Sequence, residues 1–558
     1  MGGEVMGGME TQSREGTDFA EHTPETLPDL LAAAAARFAA RPALWFLGRR
    51  WRYRDLAETV DRLAAGLQRL GVGPGVKVGL CLPNTPYSVM FFFAVLKAGG
   101  VVVNFNPLYV PREIAAQMAD SETAIMVAPD LARILNPVLE AGAKRVIVCP
   151  MRAILPPLKA LALYTLRRRE IASPRDGRII RLTALLAPGK PTPVPIRADD
   201  LAVLQYTGGT TGVPKGAMLS HRNLLACMRQ TLACAPDVTP GEERVLAVLP
   251  LFHVIGMTVL MNCSLAIGAE IILLPRFVIA ELFRTIKQTR PTIFPAVPTI
   301  VTAVLAAVAQ GREGDIASIR LWTGGGAAFP AELCERLAAL TGRQFVEAYG
   351  LSETSGAAVS NTNFSPIKPG SVGRAVADTV IEIRDPEHPE RLLGVGEKGE
   401  VCIRGPQVMM GYWKRPEETA RAFINGALRT GDIGYLDEDG YLFLVDRLKD
   451  VIIAGGYNIY PRVIEEALCR HPAVAEAMVI GVADSYRGEA PAAFVTLRPG
   501  YRCDTDELSA FLGDQISRIE MPRVIEIRQT LPKTAIGKLS KMALREEQAR
   551  LHESGGRA

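Results

Sequence analysis

The sequence predicts an α/β protein of several structural units, and three observations carry that prediction. Apolar strand-like runs alternate with helical stretches from residue 25 to about 340. From about 370 to 445 short strands and turns replace that pattern, and beyond 450 helices and strands mix again. Alternation of the first kind denotes parallel sheet with crossover helices, whereas closely spaced short strands denote antiparallel pairing. At 558 residues the chain is also too long for a single core.

Taken in order, LPDLLAAAAARFAAR reads as a helix, VKVGLCL as a strand, PYSVMFFFAVLKAGG as a helix and VVVNFNP as the next strand, so 25–200 form one parallel-sheet α/β subdomain. Residues 201–340 repeat the style as a second such subdomain, with RVLAVLP, AEIILLP, PTIFPAV and IRLWTGGG as strands. TVIEIRD, GEVCIRG and GYLFLVD then give a small antiparallel, β-barrel-like subdomain. After DRLKD, RVIEEALCRHP and AVAEAMVIGV read as a small separate α+β domain. Residues 1–24 lack the apolar core of a signal peptide and are expected to be disordered.

Composition narrows the function classes. A hydrophobic content of 48% with 22% charged residues is ordinary for a soluble globular protein, and a net charge of +4 gives no nucleic-acid signal. Nine cysteines without a Cys-x-x-Cys and six unclustered histidines argue against zinc and a disulfide framework, and fit a reducing, cytoplasmic setting. Val245 to Ala269 carries no charged residue and is long enough to span a bilayer, but Pro250, His253, Gly256 and Asn262 interrupt it. In 151–181 Arg152, Lys159, Arg167, Arg168, Arg169, Arg175, Arg178 and Arg181 stand against Glu170 and Asp176, after an apolar stretch. That order suits either a solvated helix end or contact with an anionic membrane surface, at about 1 kcal/mol per basic residue.

Chemistry concentrates first in YTGGTTGVPKGAMLSHRN, 206–223. Gly208, Gly209, Gly212 and Gly216 allow close backbone approach; Thr207, Thr210 and Thr211 supply hydroxyls, and Lys215 a positive charge. Apolar LAVLQ before it reads as a strand, and SHRNLLACMRQTL after it as a helix capped by Ser220, the strand–loop–helix setting of a phosphate cradle. Val213 and Pro214 stand where a Walker A loop would continue with glycine, so this is a different loop.

Further along, EAYGLSET (347–354) offers Tyr349 as a flat face, Ser352 as a hydroxyl and Glu353 as a hard oxygen donor. Gly350-Leu351-Ser352 begins like a nucleophile elbow but lacks the closing glycine, which disfavours a serine hydrolase. LWTGGGAAFP (321–330) runs a strand into Gly324, Gly325 and Gly326, and RTGDIGYLDEDGYLFLVDRLKD (429–450) carries Asp432, Arg447 and Lys449. PLFHVIG places His253 after a strand, GGYNIYP offers Gly455 and Gly456, and PKTAIGKLSK presents Lys538 on a glycine turn.

These motifs, in this order over roughly 25–550, resemble the adenylate-forming superfamily of acyl-CoA synthetases and luciferases. QYTGGTTG, GPQVMMGYW (405–413) and the basic segment near 160 are most similar to bacterial long-chain fatty acid–CoA ligases. The resemblance implies an N-terminal AMP-binding domain, 25–446, and a mobile C-terminal domain, 447–558, hinged at Lys449. It implies ATP, Mg²⁺ and coenzyme A as cofactors, with Glu353 and Thr210 toward the metal. It places Tyr349, Gly350 and Gly324–Gly326 at the adenine, Ser352 and the 207–215 loop at phosphate, and Asp432 and Arg447 at ribose. Lys538 and His253 fall near the reacting carboxylate, and Gly455 and Gly456 at the pantetheine tunnel.

The expected reaction is activation of a medium- or long-chain fatty acid as acyl-AMP, then transfer to CoA. An aryl-CoA ligase, or an acyl-AMP ligase loading a carrier protein, shares the first half-reaction and is the alternative. Expected partners are the acid, ATP and CoA, with a homodimer and a peripheral membrane contact through 151–181.

Overall fold

The computed structural model describes residues 24–555 apart from 173–175, 208–213, 312–315, 327–328, 363, 365, 455–456, 485–486 and 534–538. The expectation for 1–24 therefore lies, but for Pro24, outside the described residues.

Two sheets organise the larger unit, and an apolar helix packs on the first. In the first, seven strands run in the spatial order Ile179–Arg181, Val146–Cys149, Ile125–Pro129, Lys77–Leu80, Val101–Asn104, Leu201–Thr207, Lys215–Ser220. All pair in parallel except the last, which runs back antiparallel to its neighbour. The helix Pro86–Lys97 is buried on every side from Pro86 to Leu96, as a helix apolar all round must be.

The second sheet has fourteen strands. Its parallel half runs Phe345–Tyr349, Leu321–Gly325, Ile293–Ala296, Arg244–Ala247, Glu270–Leu273, Pro42–Phe46. Val359–Ser360 and Gly373–Ala375 continue it antiparallel into Tyr441–Arg447, Ala427–Leu436, Gly399–Arg404 and Val380–Arg384. The short antiparallel strands expected over 370–445 are present, and they extend the same sheet edge-on.

Two expectations need correction. The division at residue 200 does not hold: 201–220 completes the first sheet, where Val203 and Leu204 lie beside Val102 and Val103, while Pro42–Phe46 joins the second beside Ile271–Leu273. Periodicity fixes a strand's type but not its long-range partner. Nor is the phosphate-loop context strand–loop–helix, because Lys215–Ser220 forms a hairpin with Leu201–Thr207 before the helix His221–Ala233 begins. Ser220 does cap that helix, accepting from Asn223 N.

A five-stranded sheet forms the C-terminal unit, built on the long hairpin Val474–Asp484 and Gly488–Leu497. Helices Pro461–Cys469 and Thr505–Gly513 cover one face through Ile464, Leu468, Leu508 and Leu512. Leu544 packs the other face against Met478, Ile480 and Phe494. No helix among the described residues is long and apolar enough to cross a membrane, as the interrupted 245–269 run implied.

Candidate active site

Parallel sheets gather ligand groups at the carboxyl ends of their strands. Here Thr207 stands at such an end, and the turn holding His253, Gly326 and the 350–354 segment follow others. The sheets are tied together at that edge. Asn84 donates to Ala247 O and Leu249 O and accepts from Leu251 N, while Gln205 donates to Phe252 O. His253 sits in the turn thus held, its N–H on Pro250 O at 3.1 Å, immediately before the π-helix Ile255–Asn262.

One cluster forms around Lys215, which pairs with Thr207 across the hairpin. Segment 410–413 runs along the hairpin's edge: Met218 N donates to Gly411 O, Met410 N to Met218 O and Trp413 N to Gly216 O. Asn223 holds the residues just before it through Pro406 O and Val408 O, and Met409 N donates to Glu353 O. The result places Tyr412 between two predicted residues. Its hydroxyl donates to Glu353 Oε1 at 2.8 Å, and Lys215 Nζ lies 5.4 Å from its ring centre. Lys215 Nζ also lies 2.7 Å from Glu418 Oε2. Desolvation raises the Glu353 pKa, and the Tyr412 hydrogen bond opposes it.

A second cluster joins Tyr349, Asp432 and Arg447. Tyr349 OH donates to Asp432 Oδ2 at 2.7 Å, and Arg447 Nε lies 3.2 Å from Asp432 Oδ1. Asp432 and Arg447 face each other on paired strands, which explains why the sequence spaces them across one turn. Burial raises the Asp432 carboxyl above its ordinary range, against the pull of Arg447. Arg447 also lowers the Glu353 carboxyl through space, so the two clusters share one field.

The glycines have a structural cause. A Cβ on Gly324 would lie 1.8 Å from Ala296 O, one on Gly325 2.1 Å from Ala348 O, and one on Gly350 2.0 Å from Gly356 O. Gly326 takes a positive φ of 82° as the strand ends. Ser352 opens a single 3₁₀ turn, Ser352–Thr354. Lys449 lies in the turn Leu448–Asp450 between the last strand of the second sheet and the C-terminal unit, and burial lowers its pKa.

Gly208, Gly209, Thr210, Thr211, Gly212, Gly455, Gly456 and Lys538 lie outside the described residues. Tyr412 and Glu418 are what the sequence reading missed. GPQVMMGYW served only as a likeness, and a tyrosine following a glycine amid apolar residues was the available signal.

An α/β scaffold with two clusters of charged and hydroxyl side chains near the strand ends is the architecture of a known enzyme class. The chain belongs to the AMP-binding enzyme family: that family's model matches residues 31–413, and the AMP-binding enzyme C-terminal domain matches 463–538. It is 40% identical over 537 residues to the long-chain-fatty-acid–CoA ligase of Bacillus subtilis (strain 168), covering 95% of each chain. The long-chain-fatty-acid–CoA ligase of Escherichia coli O157:H7 is 36% identical over 94% of each. ATP-bound MatB from Rhodopseudomonas palustris superposes with a TM-score of 0.81 at 29% identity, over 93% of this chain and 98% of MatB.

Proposed function

We propose that the chain is an AMP-forming acid–thiol ligase that activates a medium- or long-chain fatty acid with ATP and transfers the acyl group to coenzyme A. The observation that carries this is the convergence of Glu353, Tyr412 and Lys215 with Tyr349, Asp432 and Arg447 on one sheet edge. Near-full-length similarity to long-chain-fatty-acid–CoA ligases supports the substrate class.

In this reading Asp432 accepts from the ribose hydroxyls with Arg447 beside it, and Tyr349 orients Asp432 while its ring faces adenine. Lys215, Ser352 and the threonines of 207–211 hold phosphate oxygens. The Glu353 carboxylate fits a hard divalent cation, since desolvation penalises its lone charge and a cation relieves that penalty. Mg²⁺, with Thr210 as its other protein ligand, would neutralise charge on the triphosphate. Lys538 reaches the carboxylate and α-phosphate from the C-terminal domain, His253 stands near the acyl carboxylate, and Gly455 and Gly456 leave room for pantetheine. The domains divide at 25–446 and 447–558.

A pyrophosphate-release screen over acids from acetate to oleate, with and without CoA, tests the reading. Release with long acids and CoA-dependent thioester formation are expected, and Lys538→Ala should slow adenylate formation by about 10²–10³. Absence of release with every acid rejects the proposal.

Two further parts concern setting. All nine cysteines are free, which supports a reducing cytoplasm. Helix Pro157–Leu166 exposes Leu158, Leu161 and Leu166 by 81%, 62% and 85%, beside exposed Arg167, Arg168 and Arg169, which supports a peripheral contact with anionic lipid. Part of the segment's charge is committed elsewhere: Arg178 pairs with Asp176, and Lys159 donates to Leu47 O. Vesicles of anionic lipid should retain wild type better than an Arg167→Glu/Arg168→Glu/Arg169→Glu variant; equal retention removes this part. A homodimer would sediment at twice 60.3 kDa, and a 60.3 kDa species rejects it.

A further inference from the structure

Glu418 enters the phosphate cluster from outside every motif described above. It lies on the helix Pro416–Ala422, and its Oε2 sits 2.7 Å from Lys215 Nζ. That oxygen is shielded from solvent yet accepts no directed hydrogen bond, so the pair is a charge contact with poorly aligned protons. A second cation, Arg415, approaches Glu418 Oε1 only to 3.8 Å, because it is committed to Asp120 at 2.6 Å. Asp120 is fixed in turn by the Tyr206 hydroxyl at 2.6 Å. Among the described residues the carboxylate is therefore held by charge, beside Lys215, which follows the glycine–threonine run in sequence.

We propose that Glu418 is an exchangeable counter-ion: it neutralises Lys215 while the phosphate subsite is vacant and yields the ammonium to an incoming phosphate chain. The inference rests on the reading of Lys215 as a phosphate ligand. An ammonium at this depth is costly without an anion, and a phosphate oxygen satisfies it better than a misaligned carboxylate. The pair keeps partial solvent contact, with side-chain exposures of 22% and 31%, and this limits the effect to about 0.2–1 kcal/mol, or up to about five-fold in affinity. Glu418 is a positioning residue in this scheme and touches no reacting atom.

Calorimetric titration of the full chain with magnesium pyrophosphate tests the exchange without any acid substrate, so its outcome is separable from the catalytic screen. Glu418→Gln should tighten pyrophosphate binding by about two- to five-fold. The KM for ATP should fall by the same factor, with a smaller change in kcat, and Glu418→Asp should stay near wild type. In a Lys215→Gln background the Glu418→Gln change should have no effect, because the exchange partner is gone. Weaker or unchanged binding in Glu418→Gln, an equal effect in both backgrounds, or no pyrophosphate binding by wild type overturns the proposal. A purely structural role predicts weaker binding in Glu418→Gln and in Glu418→Ala alike.

Discussion

Glu347 shows how one side chain of the second sheet feels the charge of the C-terminal unit. It lies opposite Gly324 on the neighbouring strand and accepts from Phe329 N at 3.3 Å. Burial pushes its carboxyl up to about 7, while Phe329 N–H and the Arg462 charge on the C-terminal helix pull it down. The folded protein thus keeps a proton that the unfolded chain releases near its ordinary value of 4.5. Between those values the folded state binds more protons, so this group costs stability progressively as pH rises from 4.5 to 7. Glu347→Gln should stabilise the fold at pH 8 by up to about 3 kcal/mol, read as a raised thermal midpoint, and leave the midpoint unchanged near pH 4. A pH-independent difference between the proteins would refute the assignment. The same scale shows what sequence can reveal: Glu353, Asp432 and Arg447 stood out by type and spacing, whereas Tyr412 and Glu418 owe their place to a segment arriving from some two hundred residues away.

At the scale of elements, tight strand approach explains more of the glycine pattern than ligand access does. The Gly325 Cα faces Ala348 O across two central parallel strands, neither of which can retreat without breaking its ladder. Gly325→Ala should therefore cost at least about 3 kcal/mol, read as a lowered thermal midpoint and poor soluble yield. A midpoint equal to wild type would contradict this account. Most strands were legible as apolar runs, because buried parallel strands carry little else. Lys215–Ser220 was not, since a lysine, a glycine and a serine hide its pairing within what reads as loop. Its strand character comes from neighbours on both sides, Leu201–Thr207 and segment 410–413, and neither contact is local. The same reason explains the misplaced subdomain border at residue 200.

Across the whole molecule, the turn 448–450 links the second sheet to the C-terminal unit. Asp450 is held by Arg545 at 2.9 Å, and across the units Arg498 reaches Glu332 at 3.1 Å while Arg462 N donates to Asp446. These contacts are polar, a character compatible with the proposed reorientation of the two units. Lys449→Pro should stiffen the joint, leaving pyrophosphate release largely intact and slowing thioester formation; normal rates for both steps would argue against a hinge there. The two-domain plan was legible in the change of pattern after DRLKD, but the inter-unit contacts were not, because single surface charges carry no periodic signal. The central claim is that a carboxylate attacks the innermost phosphorus of ATP within the edge built by Glu353, Lys215 and Asp432. Supplying the fatty acid with ¹⁸O in its carboxylate tests it most directly: AMP formed during turnover should carry the heavy oxygen, and unlabelled AMP accompanying thioester product would contradict it.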